Sequence, residues 1–209
     1  MLVTIPLFDR FTALDAVGPY EVLSRLPGAE VVFVAEQAGP VRADTHALAL
    51  VADRALADVD ACDVVVVPGG PGTRAMLEPH PLHDWLRAID ATTQWTTSVC
   101  TGALLLGAAG LLDDLEATTH WSALDTLAKL GARPVERRVV PQGKVVTAAG
   151  VSAGIDMALW LAAQIAGDEV AKAIQLGIEY DPQPPFDSGS TAKASPETRE
   201  LLRQLFAAD

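Results

Sequence analysis

The segment Asp63-Val64-Val65-Val66-Val67-Pro68-Gly69-Gly70-Pro71-Gly72 constrains the fold more than any other. Four consecutive valines leave no polar face. A strand built from them must be covered on both sides, as the strands of a parallel sheet are. The Pro/Gly run then stops it in a tight turn that exposes backbone. Around this segment, short β-branched runs alternate with longer Ala/Leu stretches of helical period, the pattern of a sheet between two layers of helices.

The same reading predicts strands over 3–8, 30–35, 63–67 and 94–99, with a short extra strand over 46–51. It predicts helices over 15–26, 81–91, 102–112, 122–130, 152–166 and 168–178, the fourth ended by Gly131 as helix C-termini often are. Residues 133–140 and 144–147 read as a hairpin about Gln142-Gly143, and 181–190 as a Pro-rich loop before a last amphipathic turn or two. No internal repeat is visible. The expectation is a single α/β domain over 1–209, a three-layer sandwich with a mostly parallel central sheet.

Composition excludes several function classes. A formal net charge of −12, with no cluster of Lys or Arg, provides no phosphate-neutralising surface, which argues against nucleic-acid binding. The opening Met1-Leu2-Val3-Thr4-Ile5-Pro6 lacks the basic start of a secretory signal, and the longest nearly apolar run, 99–112, is too short to span a bilayer. Two cysteines make no disulfide framework, so the expectation is a cytoplasmic protein that binds no membrane. Of the four histidines only His80 and His83 are close, and no cysteine or carboxylate sits at ligand spacing, so no metal is expected.

The chemistry should lie at the carboxyl ends of the strands, where open α/β sheets bind ligands. Cys100 ends the predicted strand 94–99 and directly precedes a helix, with small residues two before (Ser98) and two after (Gly102). A sharp strand–nucleophile–helix turn needs small flanking residues, because larger ones collide across the bend. The helix start also favours thiolate there. A free cysteine is more often an inert core residue, a description that suits Cys62. The turn at Gly69 and Gly70 lets backbone approach a ligand, and an N–H of Gly70 could join that of Thr101 in an anion hole. It lacks the phosphate-cradling pattern of a P-loop. Asp15, at the start of the first helix, is ordinarily an N-cap. Placed near Cys100 in an apolar site, it would instead be a proton shuttle with a raised pKa. His120, in Ala117-Thr118-Thr119-His120-Trp121, is an alternative base, and a Cys–His dyad stays open.

These motifs resemble those of the ThiJ/PfpI superfamily. The likeness rests on Thr97-Ser98-Val99-Cys100-Thr101-Gly102-Ala103, Leu14-Asp15 with Gly18-Pro19, Pro68-Gly69-Gly70, Gly150-Val151-Ser152-Ala153-Gly154-Ile155-Asp156 and Glu179-Tyr180-Asp181-Pro182. Within the superfamily the chain is most similar to the isonitrile hydratases. The resemblance implies a flavodoxin-like fold, a homodimer, no cofactor and a small-molecule substrate. Cys100 would attack the isonitrile carbon, Asp15 would manage the proton and water, and the Thr101 hydroxyl would bond near the carboxylate. Gly69, Gly70, Ala149 and Val151 would line the substrate or anion site, and an N-substituted formamide would leave.

Two departures from the pattern stand out. Thr101 occupies the place where protease-like members carry His, which argues against peptidase activity. Ala148-Ala149-Gly150 replaces a run of glycines, which bears on substrate size. The same motifs also resemble the sensing domain of AraC-type regulators, but only about twenty residues follow Phe186, too few for a helix-turn-helix domain. A free-standing ligand or redox sensor remains an alternative. So does a glyoxalase-like aldehyde-processing enzyme, although those relatives typically carry Glu in place of Asp15.

Overall fold

The computed structural model describes residues 1–206. Its first compact unit, Met1–Ile178, is built on a seven-stranded sheet. In chain order the strands of the protein are β1 (Leu2–Pro6), β2 (Glu30–Ala35), β3 (Gly39–Arg42), β4 (Ala49–Ala52), β5 (Arg54–Ala55), β6 (Val64–Val67), β7 (Trp95–Val99), β8 (Glu116–Ala117), β9 (Arg133–Pro134), β10 (Val139–Gln142) and β11 (Val145–Ala148). The large sheet runs β10-β11-β7-β6-β1-β2-β5, parallel except for the β10–β11 hairpin.

The four valines of β6 are fully buried, as a strand covered on both faces requires. The helices are α1 (Ala13–Leu23), α2 (Pro81–Asp90), α3 (Gly102–Ala108), α4 (Leu124–Lys129), α5 (Ala153–Ala166) and α6 (Asp168–Gly177). Helix α1 packs on α5 and α5 on α6, while α3 packs on α2 and α4, which gives one helical layer per face. The α1–α5 contact is close because Gly18 presents no side chain to Ile155. Successive strands are added outward from β1 on one side to β2 and on the other to β6, β7 and β11. The crevice beside β1 is therefore the point where strand order reverses, the place such sheets bind ligands.

Several expectations are corrected. The extra strand predicted over 46–51 is half of a separate two-stranded hairpin, β3 with β4, closed by a turn containing His46 at φ +59°. The hairpin predicted from 133–140 and 144–147 divides: β9 pairs in parallel with β8, and only β10 pairs with β11. Helix α3 ends well before 112. Gly110, at φ +76°, donates to the Gly107 carbonyl while Leu111 donates to that of Leu106, a Schellman ending that the glycine makes possible.

The described residues from Glu179 onward form the second compact unit. Its Pro-rich stretch is irregular, with a Lys193–Asp187 ion pair, and it leads into α7 (Pro196–Phe206). That helix is eleven residues long where a turn or two was expected, and Ser195 Oγ caps it by accepting from Thr198 N–H at 3.2 Å.

Candidate active site

Cys100 sits between β7 and α3 with φ +56°, a left-handed conformation that a residue with a side chain seldom adopts. The fold forces it. The Cys100 N–H is shared between the Ala148 and Ala149 carbonyls, both at 3.1 Å, and its own carbonyl accepts the Thr119 hydroxyl at 2.8 Å. Gly102 is required two residues later, since a Cβ there would lie 2.1 Å from the Val67 carbonyl oxygen. The small residue on the other side, Ser98, is fully buried, with no partner for its Oγ within the protein. In the bend read from Ser98-Val99-Cys100-Thr101-Gly102, Gly102 is thus a packing necessity and Ser98 is enclosed in the core.

Asp15 is fully buried and lies in the first turn of α1. It is not the N-cap that its position suggested, since Thr12 holds that place. Its Oδ2 accepts the Gly69 N–H at 2.9 Å, while Oδ1 is buried without a partner in the protein. The carboxyl and the Cys100 thiol are close enough to shift each other's titration. Burial drives the Asp15 pKa from 3.8 to about 7, opposed by the Gly69 N–H and by Cys100 and assisted by the negative charge of Asp44. Burial and then the Asp15 charge push the thiol from 9.0 up to about 12, against the Val151 and Thr101 N–H groups. The thiolate expected from the helix start does not win. Helix α3 has only seven residues, and its dipole opposes complete burial beside a carboxylate.

The amides that serve the sulfur are those of Thr101 and Val151. Val151 has φ +39°, an outlier for a β-branched residue and a sign of backbone held in place by its surroundings. The Gly70 N–H, expected in the anion hole, instead donates to Thr101 Oγ1 at 2.9 Å, and that hydroxyl also lies 3.2 Å from the Gly70 carbonyl. Thr101 Oγ1 is therefore tied to Gly70 rather than to the carboxylate. Gly69 is required because a Cβ there would lie 2.5 Å from the Thr101 nitrogen. Ala149 contributes its carbonyl to the Cys100 N–H, as above.

His120 approaches this region without joining the pair. Its Nδ1 is 2.8 Å from Ser122 Oγ, its ring packs on Gly150, and burial followed by the Arg74 charge lowers its pKa. Among the described residues no hydrogen bond links it to Cys100. Cys62 is a buried thiol that accepts the Thr4 hydroxyl at 3.1 Å, the inert role expected of it. Sequence reasoning missed Thr119, Thr12 and Asp44. Thr12 Oγ1 donates to Asp44 Oδ2 at 2.8 Å, across 32 positions of chain, and no local pattern announces such a pair. Among the described residues no group of three or more His, Cys, Asp or Glu side chains is arranged to hold a metal ion, and no helix is long and apolar enough to cross a membrane.

Known proteins resemble this chain in sequence and fold. The isonitrile hydratase of Pseudomonas putida is 46% identical over 184 residues, which cover 88% of this chain and 80% of that protein. The crystal structure of a ThiJ/PfpI family protein from Pseudomonas syringae superposes with a TM-score of 0.94 at 37% identity, covering 99% of this chain and 86% of the other. Drosophila melanogaster DJ-1beta shares the fold, with a TM-score of 0.77 at 24% identity over 85% of this chain and 97% of its own. The DJ-1/PfpI family profile matches residues 1–164, and the chain belongs to that family.

Proposed function

We propose that the protein hydrates isonitriles to N-substituted formamides, with Cys100 as nucleophile and Asp15 as the group that moves protons. The observation that carries this reading is the unpartnered, buried Asp15 Oδ1 beside a thiol that burial keeps protonated. The 46% identity to a protein named isonitrile hydratase supplies the substrate class.

In the resting site the proton resides on sulfur, and above about pH 7 Asp15 is a carboxylate. As sulfur bonds to the terminal isonitrile carbon, the thiol proton passes to Oδ1 and from there to that carbon, giving a thioimidate. Water then adds to the thioimidate carbon, and its proton reaches the nitrogen. The C–S bond breaks as the remaining hydroxyl proton returns to sulfur through Asp15, and the formamide leaves. The covalent intermediate divides one difficult hydration into two easier steps. The Thr101 and Val151 N–H groups hold negative charge on sulfur as it develops.

We also propose that the chain acts as one domain within a homodimer.

Consumption of para-nitrophenyl isocyanide with formation of the formamide tests the activity. Wild type is expected to turn over. Cys100→Ala and Asp15→Asn, folded by circular dichroism, are expected to lose at least about a thousandfold in kcat/KM. Turnover surviving in Cys100→Ala would refute the mechanism, and a folded but inactive wild type would refute the activity.

A further inference from the structure

We infer that Asp44, acting through Thr12, is a positioning residue for Asp15: the turn between β3 and β4 clamps the start of α1 and sets a second carboxylate beside the first. The inference rests on the proposed role of Asp15.

Thr12 is the N-cap residue of α1, with an extended backbone, yet its side chain caps nothing. A threonine there ordinarily turns its hydroxyl onto a free N–H of the first helical turn. Here the hydroxyl instead donates to Asp44 Oδ2 at 2.8 Å. The Asp44 side chain is fixed in turn, because Oδ1 accepts the Thr45 N–H at 2.8 Å.

The backbones are joined as well. Asp44 N–H donates to the Phe11 carbonyl at 2.9 Å, Phe11 bridges to Ala43, and Thr12 N–H donates to the Gly69 carbonyl at 2.8 Å. Phe11 and Thr12 are thus held between the hairpin turn and the turn after β6. Gly69, which receives Thr12, is also the residue whose N–H holds Asp15 Oδ2. Moving the Asp44 turn would move both ends of the Asp15 setting.

The charge matters separately from the hydrogen bond. Asp15 is faced by Cys100 from the elbow and by Asp44 from the hairpin turn, while α5 presents Ile155 to the same helix at Gly18. The other charged or titratable side chains of the surrounding segments are Asp9 and Arg10 before α1, Arg42 and His46 at the β3–β4 hairpin, and Arg74 after β6. The Arg42 guanidinium is engaged by the His46 carbonyl at 3.0 Å. A negative Asp44 disfavours a second negative charge at Asp15 and so strengthens Asp15 as a base. That is useful when the proton must come from a buried thiol.

The 13C shift of the Asp15 side-chain carboxyl, assigned with Asp15→Asn and followed from pH 5 to 9, reads this without reference to turnover. Asp44→Asn removes the charge and keeps one oxygen, which serves the Thr12 hydroxyl at the expense of the Thr45 N–H. Its Asp15 midpoint is expected to fall by about half a pH unit or more. Asp44→Glu is expected to restore most of the shift. Thr12→Val keeps the charge and removes the hydrogen bond. It is expected to move the midpoint less than Asp44→Asn does, while broadening the Asp15 signal. In isonitrile turnover, Asp44→Asn should move the acid limb of kcat/KM down by the same amount and lower the plateau roughly two- to tenfold, since a weaker base transfers less.

An unchanged or raised Asp15 midpoint in folded Asp44→Asn overturns the inference. If Asp44→Asn does not fold, the comparison of Asp44→Glu and Thr12→Val with wild type decides, and identical midpoints and line widths in all three overturn it. Loss of the hydratase reading would appear instead as absent wild-type turnover with the carboxyl titration intact.

Discussion

At the residue scale the site is a contest between burial and local donors. For Asp15, one backbone N–H and a thiol do not offset complete desolvation, so the folded protein binds a proton there that the unfolded chain releases near 3.8. The sign follows. A folded pKa raised above the unfolded value stabilises the fold at low pH, and the contribution is lost as pH rises from about 4 through about 7. Asp15→Asn keeps an oxygen for Gly69 and carries no charge. It is expected to be more stable than wild type at pH 8, by up to about 4 kcal/mol for a shift from 3.8 to about 7, with the advantage gone near pH 4. Urea unfolding across that range reads the difference, and a pH-independent one would contradict the assignment. The same titration predicts that wild-type kcat/KM rises with pH through about 7, because the carboxylate form receives the thiol proton. Stability and activity thus pull in opposite directions at this residue, as strained functional groups commonly do.

At the element scale the nucleophile elbow is shared property of β6, β7, β11 and the 118–120 segment. Thr119 ties the Cys100 carbonyl, β11 and the residue after it receive the Cys100 N–H, and β6 leaves no room for a side chain at Gly102. Gly102→Ala would set a methyl 2.1 Å from the Val67 carbonyl, against a strand buried on both faces that cannot retreat. The expected cost is roughly 3 kcal/mol with activity abolished, read by denaturant unfolding and by isonitrile turnover. A stability change below about 0.5 kcal/mol would show that the elbow can open without disturbing β6. This scale also explains which elements were legible. Strands β1, β2, β6 and β7 and helices α1, α2, α5 and α6 fell within a few residues of their predicted bounds, since each carries a strong local pattern. Strand β4 was anticipated over 46–51 and β9 as the start of a longer strand, but β3 and the two-residue β8 were not, because such short strands exist only through a partner elsewhere in the chain. Helix α3 was over-extended because its Leu/Ala run continues past the glycine that ends it.

At the scale of the whole molecule, the proposed homodimer predicts a sedimentation mass near twice the 21.9 kDa of one chain; a mass of one chain at micromolar concentration would reject it. The sequence by itself determined the sheet-and-helix layering, since four consecutive valines and a Pro/Gly stop admit few other solutions. It also determined the sharp turn at Cys100, since the small residues flanking it are a local steric demand. Only the tertiary structure decided what that cysteine is chemically. Local sequence pointed to a thiolate at a helix start, whereas burial beside Asp15 pushes the thiol pKa up, against that preference. Tertiary structure likewise decided the donors. It gave the sulfur to Thr101 and Val151, turned the Gly70 N–H to the Thr101 hydroxyl, left His120 with Ser122, and brought Asp44 to Thr12. The reason is physical. Periodicity and sterics act between near neighbours and can be read along the chain, whereas desolvation and charge act between groups that only folding brings together.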